Sequence, residues 1–336
     1  MIAAPYLLYL GETPVPEMAK TAIGLAHWRP ERCLGQWREQ GATVDLGLPE
    51  MDAAEAAARG ARTLVIGTAL PGGKLPPHWI ARLVDAMAAG LDIASGLHLP
   101  LSAVPELKAA ALRTGRTLHD VRLTGQAFPI GHGTPRSGHR LLTMGTDCAI
   151  GKKYTALAIH RELTGRGVDA TFRATGQTGV LIDGHGFAVD AIVCDFLAGA
   201  VETLSPSAAP DHWDIIEGQG SLYHPAYAGV TLGLLHGSQP DHFIVCHEAG
   251  RSHLLGFADH RVGDITALID LTVTLGRIVS PAIRCSGISL NTARLDEKSA
   301  RAEMDRLSAQ HNLPVCDPVR FDVTAIVDRL IEQPDY

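Results

Sequence analysis

Short apolar runs alternate with stretches of helical periodicity from the start of the chain. In the first third, the apolar runs predict β-strands and the amphipathic stretches between them predict α-helices. Strands are predicted at residues 6–10, 43–46, 63–67, 91–94 and 117–123, and helices at 31–40, 52–59, 78–89 and 105–113. Since strand and helix alternate, this region predicts a small Rossmann-like domain with a parallel sheet. A dinucleotide site has little support there, because no G-x-G-x-x-G follows the first strand.

The alternation continues beyond residues 128–140, a stretch dense in Gly, Pro and small polar residues. Such a stretch is typical of a domain boundary, so we divide the chain into residues 1–130 and 131–336. In the second part, strands are predicted at 170–174, 213–216, 243–246, 287–290 and 313–316, and helices at 154–166, 187–203, 294–310 and 323–331. The strand at 313–316 belongs at a sheet edge, because Pro314 has no N–H to donate to a neighbouring strand. The second part is thus predicted to be another doubly wound domain.

Composition and charge narrow the class of protein. The chain is 46% hydrophobic and 19% charged, as in soluble globular proteins, and its formal net charge of −7 argues against nucleic acid or an anionic membrane as the main partner. None of its six cysteines forms a C-x-x-C pair, which favours a reducing compartment over a disulfide framework or a zinc site. No apolar run approaches the roughly 18 residues that a membrane helix needs. We therefore expect a cytoplasmic protein.

One segment carries the clearest chemistry, an apolar run that ends in Gly145-Thr146-Asp147-Cys148-Ala149-Ile150-Gly151-Lys152-Lys153-Tyr154 and leads into a predicted helix. A strand, a glycine-bounded loop and a helix N-terminus form an anion site, because backbone N–H groups and the helix dipole point to the same place. The pattern G-x-x-x-x-G-K-[ST] is only partly met. Thr146 stands at the first glycine, and Lys153 replaces the hydroxyl residue that binds magnesium. We predict that residues 145–154 bind phosphate groups and that no metal is involved.

Further polar groups follow the predicted strands, where open parallel sheets bind ligands. They lie in Ser95-Gly96-Leu97-His98, in Thr175-Gly176-Gln177-Thr178-Gly179 and in Glu217-Gly218-Gln219-Gly220-Ser221. His247-Glu248 begins like H-E-x-x-H, but His253 has the wrong spacing to place two zinc ligands on one helical face. A zinc protease is therefore excluded.

These segments resemble two known groups of proteins. Residues 145–152 resemble the phosphate loop of dethiobiotin synthetase, Gly-Thr-Asp-Thr-x-Val-Gly-Lys-Thr, and residues 216–220 resemble its Val-Glu-Gly-Ala-Gly segment. More closely, the chain resembles a two-domain family long catalogued as of unknown function, whose characterised members are D-glutamate N-acetyltransferases. The segments that carry this resemblance are 94–98, 145–152, 173–179, 217–222 and 287–292. It implies an α/β fold with a Rossmann-like parallel-sheet N-terminal domain followed by a P-loop NTPase-like, doubly wound C-terminal domain.

The same resemblance implies an acetyl-CoA-dependent N-acetyltransferase that acts on D-glutamate in D-amino-acid catabolism. Acetyl-CoA is then the expected cosubstrate, with no metal, since its phosphates need only N–H groups and cations. The expected pathway partner is an enzyme that processes N-acetyl-D-glutamate. We expect the amino acid in the cleft between the domains and a homo-oligomer, most simply a homodimer.

Acetyl transfer to an amine needs a proton acceptor, stabilisation of an oxyanion and a grip on the substrate carboxylates. Glu217 is the first choice as base, because burial raises a carboxyl pKa toward neutrality, and Asp147 and His224 are the other candidates for proton transfer. A thioester on Cys148, at a helix N-terminus, is conceivable and ranks below direct transfer. Arg173 is the leading clamp for carboxylate, because guanidinium pairs with it bidentately. The other candidates for substrate binding are Gln177 and His98, with Gln219, Ser221 and Arg251 as secondary choices.

Two other functions stay open. The chief alternative is an ATP- and magnesium-dependent ligase or kinase resembling dethiobiotin synthetase, with Lys152 on the phosphates and Glu217 near magnesium. The third is a non-catalytic nucleotide-binding regulator, which would bind its ligand without turnover.

Overall fold

The computed structural model describes residues 2–70 and 74–332. The chain forms two compact units. The first contains Met1–Gln126 together with Gly176–Ala191, and the second contains Ala127–Thr175 and Ile192–Tyr336. Residues 176–191, which follow the predicted boundary at residue 130, thus belong to the first unit.

The first unit is built on a parallel sheet whose strand order is β2-β1-β3-β4-β5. Its strands are β1 (Tyr6–Gly11), β2 (Cys33–Arg38), β3 (Thr63–Ile66), β4 (Asp92–Ser95) and β5 (Leu118–Asp120), and the connecting helices are α1 (Lys20–Trp28), α2 (Ala53–Ala58), α3 (Pro77–Ala88) and α4 (Pro105–Thr114). Strands β1 and β3 are buried along their whole length, as expected for a sheet covered on both faces. This confirms the predicted Rossmann-like architecture.

Two predictions in this unit are wrong. The segment predicted as a helix at 31–40 contains strand β2, which pairs with β1. Residues 43–46 do not form a strand. Gln36 of β2 donates from Nε2 to Asp45 Oδ1 at 2.7 Å and accepts the backbone N–H of Leu46 at 2.9 Å. The amide side chain therefore takes the backbone donor that a strand would have used.

The second unit is built on a six-stranded parallel sheet in the order β13-β12-β9-β6-β8-β7, and an antiparallel hairpin, β10–β11, lies outside it. The strands are β6 (His139–Gly145), β7 (Ala170–Arg173), β8 (Trp213–Ile216), β9 (His242–Glu248), β10 (His253–Leu254), β11 (Phe257–Arg261), β12 (Arg284–Asn291) and β13 (Val315–Cys316). The helices that follow α4 are α5 (Lys152–Gly165), α6 (Gln177–Asp183), α7 (Cys194–Leu204), α8 (Ala228–Ser238), α9 (Ile265–Gly276), α10 (Glu297–His311) and α11 (Thr324–Glu332), of which α6 belongs to the first unit. The edge position of β13 confirms the inference drawn from Pro314.

The helix predicted at 187–203 begins only at Cys194. Gly184 and Gly186 have φ values of 94° and 110°, and Val189–Ala191 forms a short 3-10 turn. A left-handed backbone interrupts helical hydrogen bonding, so the chain starts its helix after these residues. Helices α8 and α9 are not among the predicted elements; the apolar residues of α8 are not confined to one stripe.

Strand β6 lies at the centre of this sheet, between β8 and β9. Leu142 pairs with Ile216 of β8, and Gly145 pairs with Cys246 of β9. Since the three strands are parallel, the loops that follow them leave the same edge of the sheet. The phosphate-type loop therefore lies between the loop that carries Glu217 and the loop that carries Arg251. In the part of the chain that the structure describes, no helix combines the length and apolarity required to cross a bilayer.

Candidate active site

The loop between β6 and α5 has the backbone of an anion-binding turn. Ala149 and Gly151 adopt left-handed φ values of 55° and 116°, and helix α5 begins directly afterwards at Lys152. The Lys152 side chain is buried, and its Nζ donates to the backbone O of Asp147 at 2.6 Å. Burial lowers the pKa of Lys152 below its usual range. The lysine thus lies folded against the loop that precedes its helix.

Asp147 ties this loop to the segment after β9. Its carboxylate is fully buried, and Oδ2 accepts from Arg251 Nη1 at 2.7 Å and from the backbone N–H of Leu255 at 2.8 Å. Its Oδ1 accepts the N–H of Cys148 at 2.6 Å. Arg251 also donates to Glu248 and to the backbone O of Cys148. Asp147 thus accepts from three donors that hold its carboxylate in the loop, and its role in proton transfer stays a prediction.

Thr146, at the position of the first glycine of the motif, makes a side-chain contact that glycine cannot make. Its Oγ1 lies 2.8 Å from Nδ1 of His247, on strand β9. Burial lowers the pKa of His247, which favours the neutral ring in this contact. The departure from the general loop pattern therefore fixes the loop to the neighbouring strand.

Glu217 lies directly after β8 and is 3% exposed. Its Oε2 accepts the backbone N–H of Thr175 at 3.1 Å, and Thr175 Oγ1 donates to the backbone O of Glu217 at 2.5 Å. Gln219 Nε2 donates to the same Thr175 hydroxyl at 3.3 Å. Thr175 thus positions both residues, and the sequence pattern did not assign it that role.

The residue after Glu217 must be glycine. A Cβ atom on Gly218 would lie 1.6 Å from the backbone O of Thr143, and the N–H of Gly218 donates to Thr143 Oγ1 at 2.9 Å. The loop after β8 therefore lies directly against β6. This close approach needs a residue without a side chain.

His224 follows in the same loop and is 1% exposed. A ring nitrogen of His224, the thiol sulfur of Cys148 and a carboxylate oxygen of Asp147 all lie within 4.8 Å of one another. The ring stacks on Tyr227, with centroids 4.5 Å apart, and Phe257 of β11 packs perpendicular to it at 4.7 Å. Tyr227 and Phe257 were not singled out from the sequence, because neither α8 nor the hairpin was predicted.

The donor set of this cluster does not suit a metal ion. Nδ1 of His224 accepts the backbone N–H of Ala226 at 3.2 Å, whereas a histidine that binds a metal through one nitrogen usually donates an N–H from the other. Asp147 already receives the Arg251 guanidinium, whose positive charge opposes a second cation. Among the described residues, this was the one group of three or more ligand-type side chains close enough for a shared ion.

The remaining predicted residues fall into two groups. Ile150 and Ser221 are buried in the second unit, where Ser221 Oγ accepts the N–H of Tyr223 at 3.3 Å. Lys153 lies over the ring of Tyr154, with 5.5 Å between Nζ and the ring centroid. Gln177 and His98 belong to the first unit. There the side chain of Gln177 lies against Gly96, where a Cβ atom would be 2.5 Å from its Cγ, and His98 is exposed.

Arg173, the predicted carboxylate clamp, is paired within the protein. Its Nε donates to Asp214 Oδ1 at 2.6 Å, and the Asp214 side chain is 2% exposed while that of Arg173 is 22% exposed. Asp214 also accepts from the Ser205 hydroxyl at 2.5 Å. This network fixes the guanidinium from one side, and the role of Arg173 toward a substrate stays a prediction.

Comparison with known proteins decides the family. A family model described as "Domain of unknown function (DUF1611_C) P-loop domain" matches residues 129–327, and one described as "Domain of unknown function (DUF1611_N) Rossmann-like domain" matches residues 32–124. The chain belongs to the DUF1611 family. This confirms the predicted resemblance and fold class, with the Rossmann-like region first and the P-loop region second.

Full-length relatives carry an enzyme name. A protein of Tritonibacter scottomollicae named D-glutamate N-acetyltransferase is 48% identical over 98% of this chain and 99% of its own length. A protein of the same name from Pseudoalteromonas sp is 43% identical, again over 98% of this chain and 99% of its own length. A crystal structure of a DUF1611 family protein from Anabaena variabilis has a TM-score of 0.90 at 32% identity, covering 98% of this chain and 100% of that one. The relatives' shared name confirms the prediction of an acyltransferase, specifically an N-acetyltransferase.

Proposed function

We propose that the protein transfers the acetyl group of acetyl-CoA to the amino group of D-glutamate. The observation that carries this proposal is the loop between β6 and α5. It presents the N-terminus of α5 and the buried Lys152, but places Lys153 where a magnesium-dependent enzyme has a hydroxyl. Such a loop suits phosphates that are held rather than transferred. The full-length relatives named D-glutamate N-acetyltransferase support the choice of acceptor.

Lys152 and the loop N–H groups would hold the phosphates of acetyl-CoA. The fully buried Asp147 keeps this loop in place through its pair with Arg251. The loop is thereby preorganised, and little ordering is needed when the phosphates bind. Lys153, next to Tyr154 at the start of α5, would add a second positive charge.

Glu217 would accept the proton that the substrate ammonium loses before attack. Its carboxylate can take up that proton at the end of β8, where it is buried. The Thr175 N–H at 3.1 Å orients the carboxylate, and Gln219 is held beside it. The neutral amine then attacks the acetyl carbonyl carbon, the CoA thiolate leaves, and the thiolate takes up the second proton that the nitrogen loses. Arg173, Gln219 and Ser221 would face the carboxylates of D-glutamate.

In this proposal the product is N-acetyl-D-glutamate, consumed by a partner enzyme in D-amino-acid catabolism. A transfer that relies on lysine and backbone N–H groups needs neither ATP nor a divalent cation. The metal requirement therefore separates this function from a ligase or kinase that resembles dethiobiotin synthetase.

The test uses the full chain with acetyl-CoA and a panel of D- and L-amino acids, with release of free thiol and the mass of the product as readouts. Thiol release with D-glutamate that persists in EDTA is expected. A requirement for ATP and magnesium, or release without an acetylated amino acid, would overturn the proposal.

Two variants test the proposed roles of Lys152 in acetyl-CoA binding and of Glu217 as base. Lys152→Ala should weaken acetyl-CoA binding at least about tenfold, corresponding to about 1.4 kcal/mol, while Lys298→Ala on the exposed face of α10 serves as the matched control. Glu217→Gln keeps an oxygen that can accept from Thr175 N–H but cannot take up a proton, so turnover should fall by about 10²–10⁴ with little change in binding. Full activity of Glu217→Gln would remove this residue from the role of base.

A further inference from the structure

One nitrogen in the candidate site lacks the hydrogen bond that its burial demands. His224 is 1% exposed, and its Nε2 has no hydrogen-bond partner among the described residues. Leaving such a group unpaired costs on the order of 1–3 kcal/mol. Buried polar groups are rarely left without a partner, and one in a catalytic loop indicates that a ligand supplies it.

The other ring nitrogen defines which tautomer is present. Nδ1 of His224 lies 3.2 Å from the backbone N–H of Ala226, which can only donate. Nδ1 must therefore hold a lone pair, and the proton of the neutral ring must be on Nε2. Stacking on Tyr227 and perpendicular packing by Phe257 fix the ring in its plane. Nε2 of His224 is thus an N–H donor in a fixed orientation.

The surroundings also favour the neutral ring. Burial lowers the pKa of His224, with further lowering by His260 and Lys152 and an opposing effect from Asp147. These groups come from β11, from the start of α5 and from the loop before it, and the Cys148 thiol faces the ring from the same loop. The ring therefore stays neutral at the pH where an amine can be deprotonated.

The neighbours of His224 do not provide an acceptor. The carboxylate of Asp147, in the same cluster, is bound by Arg251, Leu255 and Cys148 and makes no hydrogen bond to Nε2. The missing acceptor must then come with the substrate. In an acetyl transfer, the group that gains negative charge is the carbonyl oxygen of the acetyl thioester.

We propose that His224 is a catalytic residue that donates its Nε2–H to the oxyanion of the tetrahedral intermediate, rather than the base that deprotonates the amine. This inference rests on the proposed function. The amine nitrogen forms a bond to the carbonyl carbon, and the π electrons of the C=O bond move to the oxygen, where Nε2–H stabilises them. The C=O bond then re-forms, the C–S bond breaks, and the CoA thiolate leaves with the electron pair. The ammonium proton goes to Glu217 before the attack, and the second proton, which the nitrogen loses as the amide forms, goes to the leaving thiolate, so His224 keeps its own proton throughout.

Hairpin β10–β11 contacts the ring that carries this donor. Phe257 packs on the His224 ring, and the backbone N–H of Leu255 is bound to Asp147. Because Nε2 is buried, the acetyl group reaches it only when neighbouring side chains shift. The burial of Nε2 also excludes water from this donor, and the exclusion of water strengthens its interaction with an anion.

The first experiment reads the tautomer without using activity. The protein is prepared with ¹⁵N-labelled histidine, and the resonances of His224 are assigned by comparison with His224→Asn. We expect the pattern of a neutral ring with the proton on Nε2 at pH 7. A proton on Nδ1, or a doubly protonated ring at that pH, would overturn the inference whatever the reaction of the protein.

The second experiment compares His224→Ala and His224→Asn in acetyl transfer, with His132→Asn on an exposed site as control. Loss of one oxyanion donor lowers kcat by about 10²–10³, so the alanine variant should fall by that factor with a small change in KM. The asparagine variant should recover part of it, because its amide can donate an N–H. Both variants should keep the pH dependence of kcat/KM seen in the wild type.

The inference would be overturned if both variants lost the pH dependence of kcat/KM seen in the wild type and His224→Asn recovered none of the lost kcat. That result would make His224 a base. Failure of the proposed function can be distinguished from failure of the inference about His224. If the wild-type protein transfers no acetyl group to D-glutamate, the proposed function fails, and the tautomer is still decided by the NMR measurement.

Discussion

The pair formed by Asp147 and Arg251 offers the sharpest test of how the candidate site is held together. In Asp147→Asn the side chain keeps its shape but loses its charge, and an amide nitrogen replaces one of the carboxylate oxygens. Asp147 is fully buried, and the Arg251 side chain is 10% exposed. The change therefore leaves a largely buried guanidinium with one carboxylate partner, Glu248, instead of two.

The expected magnitude follows from these contacts. Removing one partner of a buried ion pair costs about 3–5 kcal/mol. Arg251 keeps Glu248, and the amide oxygen of the introduced asparagine can still accept one backbone N–H, so we expect the lower end, about 3 kcal/mol. For a unit of this size, 1 kcal/mol corresponds to about 2–4 °C in Tm. The variant should therefore lose about 6–12 °C.

The assay is calorimetry of the wild-type protein and variants in the same buffer. Glu297→Gln is the matched control, because it removes the carboxylate of an exposed pair with Arg301 on α10. Exposed pairs contribute about 0–1 kcal/mol, so the control should change Tm little. If Asp147→Asn and Glu297→Gln shift Tm equally, the carboxylate of Asp147 does not hold the loop, and the reasoning is refuted.

Three further predictions follow from the same site. Gly218→Ala should strongly destabilise the protein or prevent folding, because its Cβ would lie 1.6 Å from the backbone O of Thr143; a soluble variant with unchanged Tm would contradict that geometry. Burial lowers the pKa of His224 from its ordinary value near 6.5, so the unfolded chain binds a proton there that the folded chain does not, and stability should rise as the pH increases toward about 6.5. In His224→Asn, the free energy of unfolding measured with urea should rise less steeply with pH than in the wild type. An identical slope would show that the folded ring is not held neutral. Cys148→Ala should keep acetyl transfer within about tenfold, and mass spectrometry of the wild type with acetyl-CoA alone should show no acetylated Cys148; a stable adduct there would favour the thioester route.

Local pattern was enough to predict much of the architecture. The apolar runs at β1, β3, β4, β6, β8 and β9 are short and bounded by turn residues, so they predict buried parallel strands without knowledge of their partners. The segment from Gly145 to Lys152 likewise carries its backbone geometry in its own residues, because Gly151 permits the left-handed turn before the helix. The spacing of the loops after the strands then indicated which polar residues lie at the edge of the sheet.

Tertiary contacts decided what local pattern left ambiguous. The segment around Gln36 fits a helix by the spacing of its apolar residues, but it pairs with β1 and takes the Leu46 N–H with its side chain. A backbone donor captured by a distant side chain leaves no signal in local periodicity. The hairpin β10–β11 is equally invisible in the pattern, because most of its residues are exposed.

The chemistry of the site depended on tertiary structure most of all. The sequence by itself placed His224, Asp147 and Glu217 among the candidates for proton transfer, since each is a titratable residue near the end of a predicted strand. Only the folded chain brings the donors of Arg251 and Leu255 onto Asp147, and only there does the Ala226 N–H meet Nδ1 of His224. Residue type determines which protons a side chain can exchange, whereas the fold decides which of its lone pairs are already taken.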